Sequence, residues 1–341
     1  MESLFRMKIE KGGLYMEKLI VYGTGGGART FIQRIKGEPF EIIAVTDSYA
    51  DNCDGKYFED VKILSLKKCL EQDFDAIVIC ALAYETEIKE FIKNHYTHME
   101  KVMNKWEFYR KYILAEQHEE LLCTNDLYKF FNNEKHNRMH KWIHYFKVYS
   151  DYFEKYRGTD VVFMEIGVAR GGSMQMWSEY FGEKATIIGI DINEECRQYE
   201  KDNVKIEIGS QSDCSFWDYI KSKYPRVDIL LDDGGHTMEQ QIVTFENMFS
   251  HISDGGIYMC EDCQTSYYSS YGGGYKKQGS FIEYAKNFVD DINAYYWQGA
   301  DVAENYFARN AVGLHFWGSI VLVEKQKVKF PFAVEIDNKD I

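Results

Sequence analysis

The sequence contains no long apolar run and few prolines. No stretch of its 341 residues reaches the roughly 18–20 consecutive apolar residues that a membrane-spanning helix needs. The first residues, MESLFRMKIEKGG, also lack the apolar centre of a signal peptide, and only 3 prolines occur in the chain. We therefore expect a cytoplasmic protein without a membrane span.

Basic side chains are in short supply. Lysine and arginine together number 40, against 54 aspartates and glutamates, and the net charge is −14. Binding to phosphate backbones needs a basic surface. The composition therefore argues against nucleic acid as a partner.

The sequence also lacks the ligands of a structural zinc site. Cys260 and Cys263 form a CxxC pair in CEDC, but no second pair accompanies it, and structural zinc is usually bound by four ligands. Several other cysteines lie in apolar runs such as AIVIC, where a free thiol behaves as a small hydrophobe. We predict reduced cysteines with structural roles.

Strand and helix patterns alternate in two separate series. The first extends from Lys18 to about Asn104 and the second begins at Val161, and such alternation builds parallel sheets covered by helices. The fold class is therefore α/β, with two Rossmann-like sheets. The predicted segments are a tail (1–16), a small Rossmann-like domain (17–104), a helical connector (105–157), a larger α/β domain (158–331) and a C-terminal tail (332–341).

The second series contains six predicted strands. They are VVFMEIGV, ATIIGIDI, VKIEIG, VDILLDD, GGIYMCED and LHFWGSIVLVEK. After the fourth strand, Met238, Phe245 and Phe249 belong to one apolar stripe with helical spacing. Thr237 and Gln240 have the spacing of a capping box, so the helix should begin there.

The first three of these strands end in residues typical of a nucleoside site. The first strand enters the glycine-rich turn EIGVARGGS, the second ends at Asp191, and the third is followed by GSQSD, where Gln211 and Asp213 could face an adenine. Ligands bind beyond the carboxyl ends of parallel strands, and an acid after the second strand commonly binds ribose hydroxyls. The pattern does not separate NAD from S-adenosylmethionine, and an ordinary tight turn stays an alternative.

Acidic residues follow the next two strands. The fourth strand ends in DDGGH, which contains Asp232, Asp233 and His236, and the fifth is followed by Glu261 and Asp262. Because neighbouring strands lie about 5 Å apart, these carboxylates should converge and repel one another. A hard divalent cation such as Mg²⁺ would relieve that repulsion. The alternative is that one or two of the acids cap helices or face solvent.

Five segments within about residues 136–325 carry a resemblance to a known family: KWIHYF, EIGVARGGSMQMW, IIGIDI, LLDDGGH and GGIYMCEDCQTSY. Together they resemble the macrocin- and mycinamicin-type sugar O-methyltransferases and their cephalosporin-hydroxylase-like relatives. The resemblance implies a class I methyltransferase fold that uses S-adenosylmethionine and Mg²⁺. It also implies that Asp233, Glu261 and Asp262 bind the metal and that His236 is the general base. The residues expected at the cofactor are Glu165, Gly167, Gly171, Ser173, Asp191, Gln211, Asp213 and Asp232.

The function expected from this resemblance is methylation of a sugar hydroxyl in a glycan, a nucleotide sugar or a glycosylated metabolite. We also expect a homo-oligomer. One alternative is a hydroxylase, although a two-histidine, one-carboxylate iron site would then be expected and only one histidine lies at the strand ends. A non-catalytic scaffold that binds nucleotide sugars is a second alternative, but a scaffold has no need for the gathered acids.

The N-terminal series has a fingerprint of its own. In VYGTGGGA, Gly23, Gly25 and Ala28 follow the G-x-G-x-x-G/A pattern, with Gly26 between them, and Asp47 ends the next strand. This region resembles small Rossmann-like units attached to bacterial sugar-modifying enzymes, which hold nucleotide sugars or serve as docking platforms. A domain that binds nothing is an equally good interpretation, since such a turn also closes an empty βαβ unit.

Two further features leave alternatives open. His136, His140 and His144 are spaced by four residues, which would place them on one face of a predicted helix. Ordinary surface or core histidines are commoner than such sites, so we favour them over a metal site. The segment TSYYSSYGGGYKKQGS, residues 265–280, is interpreted as a lid over a sugar, with a disordered loop as the alternative.

Overall fold

The structure is a computed structural model that describes residues 16–133, 135–297, 305–329 and 331–335. The chain divides into two compact units between Leu121 and Leu122. Of the predicted tails, residues 1–15 and 336–341 lie outside the described residues. No helix among the described residues is long and apolar enough to cross a membrane.

The first unit contains a four-stranded parallel sheet with the order β2-β1-β5-β6. Its strands are β1 (Glu17–Tyr22), β2 (Phe40–Thr46), β3 (Tyr57–Phe58), β4 (Val61–Lys62), β5 (Ala76–Ile79) and β6 (Val102–Asn104), of which β3 and β4 form a separate antiparallel pair. Its helices are α1 (Gly26–Arg34), α2 (Leu66–Leu70), α3 (Glu85–Lys93), α4 (Lys105–Phe108) and α5 (Ala115–Thr124), the last of which contains the division.

The apolar side chains of β1 fill two cores, one on each face of this sheet. Leu19 and Val21 belong to one cluster, and Ile20 and Tyr22 belong to the other. Successive side chains of a strand point to opposite faces, so an unbroken apolar run such as LIVY is what a doubly covered strand requires. The parallel α/β sheet predicted for this part of the chain is present.

The second unit contains a seven-stranded sheet with the order β12-β13-β11-β10-β7-β8-β9. Its strands are β7 (Val162–Ile166), β8 (Thr186–Asp191), β9 (Val204–Ile208), β10 (Val227–Asp232), β11 (Ile252–Cys260), β12 (Ala311–Trp317) and β13 (Ile320–Lys325). Its helices are α6 (Asp126–Phe131), α7 (Tyr145–Phe153), α8 (Gly172–Phe181), α9 (Cys214–Lys223), α10 (Met238–Met248), α11 (Phe281–Ile292) and α12 (Tyr306–Asn310). Strands β7 to β11 are parallel, and β13 runs antiparallel to both of its neighbours.

The prediction of a single strand in LHFWGSIVLVEK was wrong. The segment forms the end of β12 and all of β13, which are antiparallel and pair Trp317 with Ile320. The chain reverses at Gly318 and Ser319, and Ser319 adopts a left-handed φ of 67°. Both flanks of this turn are apolar, so the composition of the run concealed the reversal.

The predicted helix bearing the three histidines is also absent. The described residues of 132–144 form neither helix nor strand, and α7 begins only at Tyr145. His136 contacts the backbone oxygens of Phe131 and Asn137, and His144 contacts that of Gly318 at 2.7 Å. The histidines therefore do not share a helical face, and the metal site considered for them has no geometric support.

Candidate active site

The acids predicted to converge lie at adjacent strand ends. β10 pairs with both β7 and β11, and its last residue, Asp232, lies opposite Ile166 and Cys260. The next residues along the chain are held in the same register, because Asp233 N donates to Ile166 O at 3.1 Å and Glu261 N donates to Asp232 O at 2.9 Å. The sheet itself therefore brings the DDGGH turn next to the pair Glu261–Asp262.

Asp233, His236 and Asp262 form a compact group. Each offers one ligand atom, and these atoms lie within 4.8 Å of one another. His236 Nε2 is 3.6 Å from Asp262 Oδ2 and 3.9 Å from Asp233 Oδ1. Among the described residues this is the one group of three or more His, Cys, Asp or Glu side chains with such geometry.

Each carboxylate of this group has one oxygen held by a neighbouring side chain. Asp262 Oδ1 accepts hydrogen bonds from Tyr145 Oη at 2.9 Å and from Trp142 Nε1 at 3.1 Å. Asp233 Oδ2 accepts one from Lys141 Nζ at 2.7 Å. The other oxygen of each carboxylate faces His236. Two oxygens and one imidazole nitrogen are thus directed to a common point.

Glu261, the third predicted metal ligand, faces a different neighbour. Its side chain is 1 % exposed, and Oε2 lies 3.1 Å from Lys141 Nζ. Tyr149 Oη donates to its other oxygen, Oε1. The structure therefore separates the predicted ligand set: Asp233 and Asp262 lie with His236, while Glu261 lies against Lys141 and Tyr149.

Lys141 is the functional residue that the sequence analysis missed. Its side chain is only 2 % exposed, and Nζ contacts the carboxylates of Asp233, Glu261 and Glu165, the last at 3.3 Å. Burial alone would lower the pKa of Lys141, but the three carboxylates hold it well above its ordinary value. Burial raises the pKa of Glu165 and of Glu261, and the Lys141 ammonium opposes that rise.

Asp232 and Gln211 lie together beneath the DDGGH turn. Gln211 Nε2 donates to Asp232 Oδ1 at 3.1 Å, and Gln211 Oε1 accepts from Gly235 N at 2.8 Å. The other oxygen of Asp232, Oδ2, is buried and has no hydrogen-bond partner among the described residues. Burial raises the pKa of Asp232 to about 6. Both side chains therefore help to fix the conformation of the DDGGH turn through hydrogen bonds.

The glycine-rich turn after β7 contacts the DDGGH turn directly. Gly167 has φ 99°, and a Cβ on it would lie 2.1 Å from Asp233 O. Asp191 Oδ2 accepts hydrogen bonds from the backbone N–H groups of Val168 and Ala169, at 3.0 and 2.9 Å. The acid after the second strand of this sheet thus fixes the conformation of the glycine-rich turn.

Other predicted cofactor residues lie around the same edge of the sheet. Ser173 Oγ donates to Glu165 Oε2 at 2.6 Å, and Gly171 precedes α8 with φ 74°. Asp213 is exposed and caps α9, accepting from Ser215 N at 2.8 Å. The hydrogen bonds from Ser215 lower the pKa of Asp213. The adenine contact predicted for Asp213 stays a prediction.

His236 lies immediately before α10 in a strained conformation. Its φ of 59° is left-handed, which costs free energy for a residue other than glycine. Thr265 Oγ1 donates to its backbone oxygen at 2.9 Å, and Thr237 forms the predicted capping box with Gln240. Nδ1 of His236 is buried without a hydrogen-bond partner among the described residues. The backbone rather than a bond to the ring fixes the position of this imidazole.

The strand order of the second unit, in which β13 is inserted antiparallel between β11 and β12, defines the class I methyltransferase fold. Residues 164–263 match the family model described as a methyltransferase domain. Residues 15–103 match a second model, described as C2185-like, N-terminal. The predicted fold class is confirmed, and the chain carries an extra α/β unit before the methyltransferase domain.

Several relatives of this chain are named O-methyltransferases. Mycinamicin VI 2''-O-methyltransferase of Micromonospora griseorubida is 32 % identical over an alignment of 196 residues, and the match covers 54 % of this chain and 49 % of that protein. Demethylmacrocin O-methyltransferase of Streptomyces fradiae is 29 % identical over an alignment of 204 residues, and the match covers 54 % of this chain and 50 % of that protein. The resemblance to the macrocin and mycinamicin enzymes is confirmed. The chain spans about half the length of these relatives.

A solved structure of similar fold is the MycE methyltransferase from the mycinamycin biosynthetic pathway in complex with Mg, SAH and mycinamycin VI. It is 29 % identical, has a TM-score of 0.52, and covers 62 % of this chain and 53 % of its own. A second structure of that enzyme, with Mg and SAH, has a TM-score of 0.53 at 28 % identity, and covers 65 % of this chain and 61 % of its own.

Proposed function

We propose that this protein is an S-adenosylmethionine-dependent O-methyltransferase that uses a divalent cation and acts on a hydroxyl group of a sugar. The observation that carries the proposal is the directed pair of carboxylate oxygens, Asp233 Oδ1 and Asp262 Oδ2, beside His236 Nε2. Its relatives are named O-methyltransferases, one of them for a rhamnosyl tetracenomycin, and the MycE structures contain Mg and SAH.

The donor set fits a hard divalent cation. Carboxylate oxygens are the ligands that Mg²⁺ prefers. The single Lys141 ammonium faces three carboxylates, and a fourth carboxylate, that of Asp262, lies next to His236. One histidine and two carboxylates differ from the two-histidine, one-carboxylate set of iron hydroxylases. We keep Glu261 as the third ligand of the proposal, which requires its carboxylate to turn from Lys141 and Tyr149.

The cofactor is proposed to lie along the carboxyl ends of β7, β8, β9 and β10. The glycine-rich turn from Gly167 to Gly171 would face its amino-acid part, and Asp191 its ribose. The residues assigned to this site are Glu165, Gly167, Gly171, Ser173, Asp191, Gln211, Asp213 and Asp232. The unpartnered, buried Oδ2 of Asp232 supports a nearby polar ligand group.

When bound, S-adenosylmethionine would supply an electrophilic methyl group, and a divalent cation held by Asp233 and Asp262 would make the acceptor hydroxyl more acidic. His236 Nε2 takes the proton from the acceptor oxygen. Asp233 and Asp262 direct their oxygens to the same point, because Lys141, Tyr145 and Trp142 hold the remaining ones.

Four further points stay proposals: a homo-oligomer, a cytoplasmic location, the domain limits at 17–104 and 158–331, and a lid at 265–280.

The test is incubation with S-adenosylmethionine and a panel of glycosylated small molecules, glycans and nucleotide sugars, with methyl transfer followed by mass. His236→Ala should lower turnover by on the order of 10²–10⁴-fold while calorimetry shows unchanged cofactor binding. His98→Ala, which changes an exposed histidine of the first unit, is the matched control. Asp191→Ala should weaken cofactor binding. Full turnover after thorough chelation, or no transfer to any sugar, would contradict the proposal.

A further inference from the structure

A cleft of about 590 Å³ lies at the carboxyl ends of β1, β2 and β5 in the first unit. From β1 the chain continues to β2 on one side and later returns to β5 on the other side. The strand order therefore reverses at this cleft. In open parallel sheets, ligands bind at such a reversal point, and the volume lies within the range of small-molecule sites.

One end of the cleft offers a place for an anion. Gly25 caps α1, no side chain caps this helix, and a Cβ on Gly25 or Gly26 would meet nothing within 4 Å. Ala28 N donates to Gly25 O at 3.1 Å, whereas the N–H groups that precede it in the first turn have no partner within the helix and need an acceptor. Lys105 Nζ lies 3.7 Å from the position that a Cβ on Gly27 would take. A helix terminus and an ammonium thus both favour negative charge here.

The other end carries a carboxylate and aromatic rings. Asp47 follows β2 and lines the cleft; Tyr49 N donates to its Oδ1 at 2.8 Å, and the Thr24 hydroxyl donates to its Oδ2. Tyr49 and Tyr84 also line the cleft and are 73 % and 65 % exposed. A carboxylate in this position suits ribose hydroxyls, and exposed rings offer faces on which a base can stack.

We propose that this cleft binds one nucleotide, a nucleoside diphosphate either free or linked to a sugar, with the diphosphate at α1 and the ribose at Asp47. Dinucleotide sites are built from two mononucleotide-binding halves with about six strands in all. The parallel sheet of the first unit has four strands among the described residues. The second half that a dinucleotide needs is therefore not provided within this sheet, and a single nucleotide is the ligand that fits.

The experiment is calorimetric titration of the full chain with UDP, ADP, UDP-glucose and inorganic pyrophosphate, in saturating S-adenosylhomocysteine. S-adenosylhomocysteine occupies any adenosine site of the second unit, and variants of the first unit distinguish nucleotide binding there from binding of UDP-glucose as an acceptor in the second. We expect the nucleotides to bind more tightly than pyrophosphate. Asp47→Asn should weaken nucleotide binding and leave pyrophosphate binding unchanged, because only the nucleotides carry a ribose.

Gly25→Asp and Gly25→Asn form a matched pair at the anion end. The φ of −94° and the open space around Gly25 accept either side chain, and both residues are good helix caps, so neither should lower the unfolding temperature. The added carboxylate should weaken UDP binding at least about tenfold more than the amide does, which corresponds to about 1.4 kcal/mol. Equal affinities in the two variants would overturn the proposal. So would pyrophosphate binding as tightly as UDP, or no nucleotide binding at millimolar concentration.

Discussion

At the scale of single residues, Lys141 neutralises part of the acid cluster at the strand ends. Its buried ammonium faces three carboxylates, so Lys141→Met would leave them without their counter-charge. Removing one partner of a buried ion pair typically costs about 3–5 kcal/mol. We expect a loss of that size in urea unfolding at neutral pH, with chelator present to exclude metal effects.

The control for Lys141 is Lys147→Met on α7. The Lys147 side chain is 71 % exposed and pairs with Asp151 at the surface, and exposed pairs contribute at most about 1 kcal/mol. Equal losses in the two variants would show that the contacts of Lys141 with the acids do not stabilise the fold.

Gly167 fixes the distance between the two turns at the active site. A Cβ on it would lie 2.1 Å from Asp233 O, and its φ is 99°. Gly182 has a similar φ of 86° but nothing lies within 4 Å of the corresponding position. With a ψ of 178°, Gly182 lies in a region essentially restricted to glycine, so Gly182→Ala should lose about 1–3 kcal/mol from backbone strain, while Gly167→Ala should lose more and displace Asp233. Chemical unfolding of both variants measures the difference, and similar losses would contradict the steric argument.

Asp232 should make stability depend on pH. Burial raises its pKa from the ordinary 3.8 to about 6, so the folded chain holds this proton more tightly than the unfolded chain does. Stability from this group is complete below about pH 4 and is lost as the pH rises to about 6. Asp232→Asn should therefore gain about 2–3 kcal/mol relative to the wild type across that interval, as measured by urea unfolding at successive pH values.

Asp213→Asn provides a control of opposite sign. Hydrogen bonds from Ser215 lower the pKa of Asp213, so its stabilising contribution is present above its ordinary pKa and is lost as the pH falls. The Asp213→Asn variant should therefore become slightly less stable than the wild type as the pH rises. Curves for Asp232→Asn that run parallel to those of the wild type would contradict the burial argument.

At the scale of elements, α10 holds the position of His236. Thr237 caps this helix and forms a reciprocal pair with Gln240, directly after the left-handed His236. Thr237→Ala should cost about 1 kcal/mol and increase hydrogen exchange in the first turn of α10, whereas Thr237→Ser should retain the cap. Unchanged exchange in Thr237→Ala would show that packing alone defines the start of the helix.

Local patterns were sufficient for most of these elements. The apolar runs of β7 to β11 and the Thr-x-x-Gln spacing before α10 predicted the observed structure. They failed in the segment before α7, where tertiary contacts determine the backbone: Asn137 N donates to Gln175 Oε1 at 2.8 Å, and Lys141 enters the acid cluster. These tertiary contacts outweigh the local helix preference that the spacing of the three histidines suggested.

The site was predictable to the extent that it follows from strand ends. Acids after β10 and β11 had to converge, because parallel strands end at one edge of the sheet. Lys141 lies 92 residues from Asp233 and 120 from Glu261, so no local pattern reveals it. Because of this distance in sequence, the contact between Glu261 and Lys141 could not be predicted, and the pattern of strand ends placed Glu261 instead with the group around His236.

At the scale of the whole molecule, each unit has hydrophobic clusters of its own. The clusters around β1 contain residues of the first unit alone, and the cluster around Leu230 and Phe245 contains residues of the second alone. A domain with its own core usually unfolds as one cooperative transition. Calorimetry of the full chain should therefore show two transitions.

Ligands should shift these two transitions separately. A ligand that binds only the folded form stabilises it by about 2.7 kcal/mol at a hundredfold excess over its dissociation constant. S-adenosylhomocysteine should raise only the transition that Lys141→Met lowers, since Lys141 lies in the second unit. UDP should raise only the other, and Gly25→Asp should reduce that shift more than Gly25→Asn does. A single transition that both ligands raise together would mean that the two units unfold as one, and that binding in either stabilises both.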